Sequence, residues 1–259
     1  MNSQMIKSTA LFALIASSFV APLSQAAELI PRTVFGTNFV QGKADVITQM
    51  RPGETFSRTA AGSTATTYQI YVPTKFSPTR PGPILIAFHP GGNGRAMLDA
   101  LKPSAEKAGW LLVGCDKLSN QLEDNANANL IEDELLADIL GSLPYDSKAI
   151  YLAGFSGGAE RCYHLTSRVK LPVTGILAYA GWLGGEEYQK KHYGHQMRVA
   201  MINGKNDSNA NAWVTGDTFT LRKTGCRVKE FPWDGAHAIA PEAVTDQVIA
   251  WLEQQRKSP

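Results

Sequence analysis

The chain has 259 residues, 44% of them hydrophobic, with 25 basic and 23 acidic side chains. That length supports one α/β domain with a large core and leaves little for a second. The near-balance of charge excludes the strong field that would recruit nucleic acid or an anionic membrane. Met1 to Lys7 is polar and positive, Ser8 to Ala21 is mostly apolar, and Ser24-Gln25-Ala26 supplies the small residues of a cleavage site. This reads as a secretory signal peptide over 1–26, cut after Ala26 or Ala27, so the protein is expected to be exported, periplasmic or extracellular. The apolar stretch is short for a bilayer, and no later stretch is long and apolar enough to span one. Residues 27–51 have weak periodicity and are expected to form an arm on a domain covering 27–259.

From there the pattern becomes regular. Glu54 to Thr59 and Thr66 to Val72 read as an antiparallel hairpin. Ile84 to Phe88 is a fully apolar strand, His89 to Gly94 a glycine-rich loop, and Arg95 to Ala108 a helix. Trp110 to Cys115 is a strand and Asp116 to Ala128 a polar, Asn-rich loop. Asn129 to Leu140 is helical, with Ile131, Leu135 and Ile139 on one face and a stop at Gly141. The strand Ala149 to Ala153 leads into Gly154-Phe155-Ser156-Gly157-Gly158 and a further helix. Strands follow at Thr174 to Ala180, Arg198 to Asn203 and Cys226 to Phe231, with a helix over Asn209 to Lys223. Pro241 opens a final helix. A hairpin followed by repeated strand–helix units predicts an α/β fold, a mostly parallel central sheet with helices on both faces. Sites in such sheets lie at the carboxyl ends of the strands.

The pentapeptide Gly154 to Gly158 carries the most information. A serine hydroxyl is a poor nucleophile until it is exposed, beside a base, and faced by donors for the developing oxyanion. A sharp strand-to-helix turn with glycine neighbours provides this and makes Ser156 the candidate nucleophile. In this chain order an acid and then a histidine should follow. Of the five histidines, His89 precedes the serine, His164 lies on the helix after it, and His192 and His195 precede the last two strands. Only His237 follows all the strands. Asp207, in the turn after Asn203, is the preferred orienting acid; it also suits a helix N-cap. Asp217 is expected on the following helix, facing away, and Asp234 comes after the last strand. The oxyanion hole should use the Gly157 amide and an amide of the loop after Phe88. Pro90 has no N–H, so Gly91 is the first possible donor and Gly92 the next.

Other features are less specific. Trp182 follows a strand on the same rim and could wall the substrate site or simply pack an edge; Trp233 has a similar, weaker claim. The Asp116 to Ala128 loop forms another rim. Asp124, Asn125, Asn127 and Asn129 suggest a calcium loop, but the glycine such a loop needs is missing, so a solvated loop is expected. Cys115, Cys162 and Cys226 allow at most one intramolecular bridge; Cys115 and Cys162 read as small buried hydrophobes. No zinc or other cofactor motif occurs, and no cofactor is expected.

Together these residues resemble the α/β-hydrolase superfamily, and within it the secreted polyhydroxybutyrate-depolymerase and feruloyl-esterase group. The likeness is carried by Phe88-His89-Pro90-Gly91-Gly92, Ala105 to Trp110, Ile150 to Gly158, the Gly204 to Asp207 turn and Gly235-Ala236-His237. It spans Tyr68 to Leu252. Two departures stand out: the usual His-Gly is His89-Pro90, and the strand usually followed by Pro-Asp ends in Cys115-Asp116. The resemblance implies a serine carboxylesterase acting on a small-molecule or polymer-bound ester, with a Ser156–His237–Asp207 triad and an acyl-enzyme. The short stretch between Ala180 and Arg198 leaves no room for a sizeable cap domain, so an open cleft is expected. A peptidase of prolyl-oligopeptidase type would need a propeller or large cap that the chain lacks. A non-catalytic binding protein on a hydrolase scaffold would not need the intact order Ser156, Asp207, His237.

Overall fold

The computed structural model describes residues 39–257, apart from 123, 124 and 170. The expected signal peptide with its cleavage site, the first part of the arm, and Asp124 lie outside these residues. What is described of the arm docks on the body. Strand β1 (Phe39–Val40) pairs antiparallel with β6 (Tyr145–Asp146), and the short helix α1 (Ala44–Ile47) buries Val46 in the core.

The hairpin forms as β2 (Thr55–Thr59) and β3 (Thr67–Tyr71), followed by β4 (Ile84–Phe88), α2 (Gly94–Ala108), β5 (Leu111–Cys115) and α3 (Asn125–Ser142). After β6 come β7 (Ile150–Phe155), α4 (Gly157–Arg168), β8 (Val173–Tyr179), β9 (Arg198–Ile202), α5 (Ser208–Lys223), β10 (Arg227–Glu230) and α6 (Glu242–Lys257). Eight strands make one sheet in the order β10-β9-β8-β7-β4-β5-β3-β2. The hairpin strands are antiparallel to their neighbours, and every other pairing is parallel.

Alternate side chains of each central strand serve opposite faces, as the pleat requires. Ile84, Ile86 and Phe88 of β4 join Leu135, Ile139, Cys162 and Leu165 of α3 and α4 on one side. Leu85 and Ala87 join Met97, Leu101, Val248 and Leu252 of α2 and α6 on the other. Strands buried on both sides explain why β4 and β7 read as continuous apolar runs. Burying each such side chain contributes about 1.5–3 kcal/mol, so the central strands are held firmly enough to serve as the base of a site.

Three expected boundaries move. Helix α3 starts at Asn125 rather than Asn129 and runs through Gly141 to Ser142, where the Lys43 amide of the arm donates to the Ser142 carbonyl at 2.9 Å. The final helix begins at Glu242, with Pro241 just before it rather than at its first position. The segment between β8 and β9 holds a single 3-10 turn, Tyr188–Lys190, and no cap is seen there. Among the described residues, no helix is long and apolar enough to cross a membrane.

Candidate active site

The turn between β7 and α4 is built by close backbone approach. A Cβ on Gly154 would collide with the carbonyl of Gly158, and one on Gly158 with the carbonyl of Phe88. Only glycine lets strand, helix and the neighbouring strand β4 meet this tightly. Ser156 sits at the apex with φ 53° and ψ −124°, in the left-handed region that a side chain adopts at a cost of about 1–3 kcal/mol. Its amide donates to the Tyr179 carbonyl at 2.9 Å, which ties the apex to the end of β8. Gly157 is the first residue of α4, so its amide has no acceptor one helical turn back.

The loops after β9 and β10 are zipped together. Lys205 donates its amide to the Trp233 carbonyl and Asn206 to that of Gly235, both at 2.9 Å. A Cβ on Gly204 would collide with the carbonyls of Gly235 and Ala236, so glycine is required at this crossing too. The zipper brings Asp207 to His237. His237 Nδ1 lies 2.9 Å from Asp207 Oδ2, and His237 Nε2 lies 2.9 Å from Ser156 Oγ. A carboxylate can only accept, so Nδ1 carries the proton and Nε2 is left to accept from the serine hydroxyl. The Asp207 side chain is 1% exposed, while that of His237 is 37% exposed. The relay therefore has a dry end and a wet end.

Asp207 faces two partners at once. Its second oxygen, Oδ1, accepts the Ala210 amide at 3.1 Å and caps α5. The alternatives lie elsewhere. Asp217 is buried on α5, where it accepts the Leu183 amide at 2.8 Å and the Gln189 side-chain amide at 2.7 Å, and so pins the segment after β8. Burial raises its pKa, opposed by those two bonds. Asp234 is exposed and pairs with Lys205 at 2.6 Å. His164, on α4, stacks on Tyr188 with ring centroids 4.0 Å apart. Burial, reinforced by the charge of Lys191, lowers its pKa to about 4.

The upstream loop differs from expectation. The Gly91 amide donates to His89 Nδ1 at 3.0 Å, and the Gly92 amide to the His89 carbonyl at 2.9 Å. Neither is a free donor in this arrangement, because the His89 ring turns back over its own loop. The phenyl ring of Phe155, 6.1 Å from the His89 ring and 5.3 Å from that of His237, lies between the two imidazoles.

Trp182 is half-buried beside Gly181, whose Cβ position lies 3.1 Å from the Ser156 carbonyl, so it borders the serine turn. Trp233 packs into the core on the α6 side and lines a recess with Lys205, Phe231 and Val244 that contains neither Ser156 nor His237. Its ring lies against Gly235, in the loop bearing His237. A cavity of about 660 Å³ adjoins the serine turn, lined by Asn120, Gly157, Glu160, Arg161, His164 and Tyr188 among others. Its polar walls are anchored where Glu132 takes ion pairs from Arg161 and, at 2.8 Å, from Arg168. Sequence reading did not single out Asn120; its presence at the serine turn comes from a loop-to-loop contact with no local signature. Among the described residues no group of three or more His, Cys, Asp or Glu side chains could hold a metal ion. Cys115, Cys162 and Cys226 are all buried and unbridged.

No family model and no curated protein matches the chain. Solved structures do. It is similar to an S-formylglutathione hydrolase from Agrobacterium tumefaciens, with a TM-score of 0.59 and 13% identity over 78% of this chain and 94% of that one. It is also similar to a hyperthermophilic esterase from the archaeon Pyrobaculum calidifontis, with a TM-score of 0.60 and 12% identity over 82% and 89%. A fluorophosphonate-binding serine hydrolase from Staphylococcus aureus gives 0.54 and 12% over 80% and 100%. At such identities the likeness is one of fold: the chain has the α/β-hydrolase fold, shared with serine esterases and hydrolases.

Proposed function

We propose that this protein is a serine carboxylic-ester hydrolase, made with a signal peptide over 1–26 and exported to the periplasm or beyond the cell. The observation that carries the reading is the unbroken chain Ser156 Oγ–His237 Nε2, His237 Nδ1–Asp207 Oδ2, with 2.9 Å at each link. Ser156 attacks the ester carbonyl while its proton passes to His237 Nε2. Asp207 holds the imidazole in the accepting tautomer and stabilises the cation that forms. The Gly157 amide donates to the oxyanion. Collapse of the tetrahedral intermediate expels the alcohol, which takes the proton from His237, and leaves an acyl-Ser156. Water, deprotonated by the same histidine, then releases the acid. No cofactor takes part.

The fold shared with esterases and with a fluorophosphonate-binding serine hydrolase supports this reaction class. The sequence motifs favour the polyhydroxybutyrate-depolymerase and feruloyl-esterase group within it. Trp182 forms one wall of an open cleft, and the polar cavity beyond Gly157 receives a hydrated part of the ester. Purified protein should hydrolyse p-nitrophenyl acetate and take up a fluorophosphonate probe. Ser156→Ala should lose both with its melting temperature unchanged. Activity retained in that variant would overturn the proposal.

A further inference from the structure

We infer that Asn120 is a further catalytic residue, its side-chain amide being the second donor to the oxyanion; this rests on the serine-esterase reading. An oxyanion hole needs at least one donor besides the amide after the nucleophile, and the loop after β4 is where that donor is expected. Here the loop has little to give. Pro90 lacks an N–H. The Gly91 amide is taken by His89 Nδ1 at 3.0 Å and the Gly92 amide by the His89 carbonyl at 2.9 Å.

A free donor stands on the neighbouring loop, against the serine turn. A Cβ on Gly157 would overlap the carboxamide of Asn120, whose Oδ1, Nδ2 and Cγ are the nearest atoms to that position. The primary amide thus lies in contact with the residue whose own N–H faces the oxyanion. Asn120 is exposed, and its carboxamide has no hydrogen-bond partner among the described residues. Its backbone, by contrast, is firmly held. The Asn120 amide donates to the Pro90 carbonyl at 2.8 Å, and the Lys117 amide to the Gly92 carbonyl at 3.0 Å. Gly91 and Ser119 form an antiparallel bridge, and the Arg161 guanidinium reaches the Ser119 carbonyl at 3.5 Å. The fixed backbone keeps this uncommitted donor at the serine turn and limits how far it must move as charge develops. The missing side chain at Gly157 leaves the space for it.

In the step itself, the bond from Ser156 Oγ to the carbonyl carbon forms as the carbonyl π pair moves onto oxygen. That oxygen accepts from Gly157 N–H and Asn120 Nδ2–H. On collapse the pair returns, and the alcohol leaves with the proton held by His237.

The test is steady-state hydrolysis of p-nitrophenyl acetate by the full protein and by Asn120→Ala and Asn120→Asp. Asn120→Ala should lower kcat by about 10²–10³ with KM within about threefold, and Asn120→Asp, which replaces the donor with a negative acceptor, should lower it further. Binding of a trifluoromethyl ketone, which presents an oxyanion when Ser156 adds to it, should weaken by the same factor as kcat/KM. Gly157→Ala keeps its own amide but pushes the carboxamide aside, and gives the same kcat loss if Asn120→Asp does not fold. Variants at Asn120 within fivefold of the wild-type kcat, or changed only in KM, would overturn the assignment and leave the esterase reading standing. A wild-type protein that neither hydrolyses any ester nor takes up a fluorophosphonate would bring down both.

Discussion

Replacing Asp207 with asparagine sets its two hydrogen bonds against each other. The native carboxylate accepts on both oxygens, from the Ala210 amide at 3.1 Å and from His237 Nδ1–H at 2.9 Å. A carboxamide has one acceptor and one donor. If its oxygen stays on the helix, its NH₂ meets His237 Nδ1; the ring then accepts there, carries its proton on Nε2, and cannot deprotonate Ser156. If it turns over, the ring keeps its tautomer, but NH₂ faces the Ala210 N–H, donor against donor. The second arrangement loses the helix cap, about 1 kcal/mol, and leaves a buried donor unsatisfied, about 1–3 kcal/mol. The first costs only an exchange of neutral tautomers. A gap of about 2–4 kcal/mol confines the productive arrangement to about one molecule in 30 to one in 10³, and the neutral amide no longer stabilises the imidazolium, which deepens the loss. Asp207→Asn should therefore melt near the wild-type temperature while kcat for p-nitrophenyl acetate falls by about 10³–10⁴. Asp207→Ala should lose activity as well and melt about 2–4 °C lower, because the cap goes too. An Asp207→Asn protein within tenfold of the wild-type kcat would refute the dual role.

Further outcomes follow from the same geometry. Gly154→Ala and Gly158→Ala each force a methyl group into a backbone carbonyl; a cost of about 3 kcal/mol should lower the melting temperature by about 6–12 °C, read by circular dichroism. Burial and Lys191 hold His164 at about 4 against an ordinary 6.5, so its contribution to stability is full above pH 6.5 and is lost as pH falls towards 4. Burial works against ionisation of Glu134, but donors from Thr64 and Ser63 hold it at about 2 against 4.5, so its contribution is lost over the lower window, pH 4.5 to 2. After discounting for partial exposure, titration of each group changes stability by about 1–2 kcal/mol across its window. Urea unfolding of His164→Gln and Glu134→Gln against pH should flatten those two windows respectively. Finally, burial raises the pKa of Cys115, Cys162 and Cys226, so a thiol reagent should react slowly with the native protein and count three thiols after unfolding. A count of one would show that a bridge forms.

The parts of the fold legible in the sequence are those fixed by local chemistry or chain order. Ile84 to Phe88 and Ile150 to Ala153 announce strands buried on both faces. His237 could be picked out because one loop follows the last strand, and Asp207 because one turn follows β9. The start of α3 was obscured because asparagine is a poor helix former; Ala128 and Ile131 gain their burial only once the sheet exists. Its end lies beyond Gly141 because Lys43, distant in sequence, satisfies the terminal carbonyl. The same limit hid the oxyanion side of the site. That His89 would turn its ring onto Gly91 depends on a rotamer, and that Asn120 would lie on Gly157 depends on the loops after β4 and β5 pairing with each other.

The strand order leaves β10 at one end of the sheet, and its sequence Arg227-Val228-Lys229-Glu230 exposes all three charged side chains. An open strand edge is a template for joining another molecule's sheet, and charges of both signs along it make such joining costly. The loop that carries His237 hangs from this same strand. The charged edge of the sheet and the support of the proposed base are thus one short stretch of chain. Softening Lys229 or Glu230 towards apolar residues would remove that guard from the open edge.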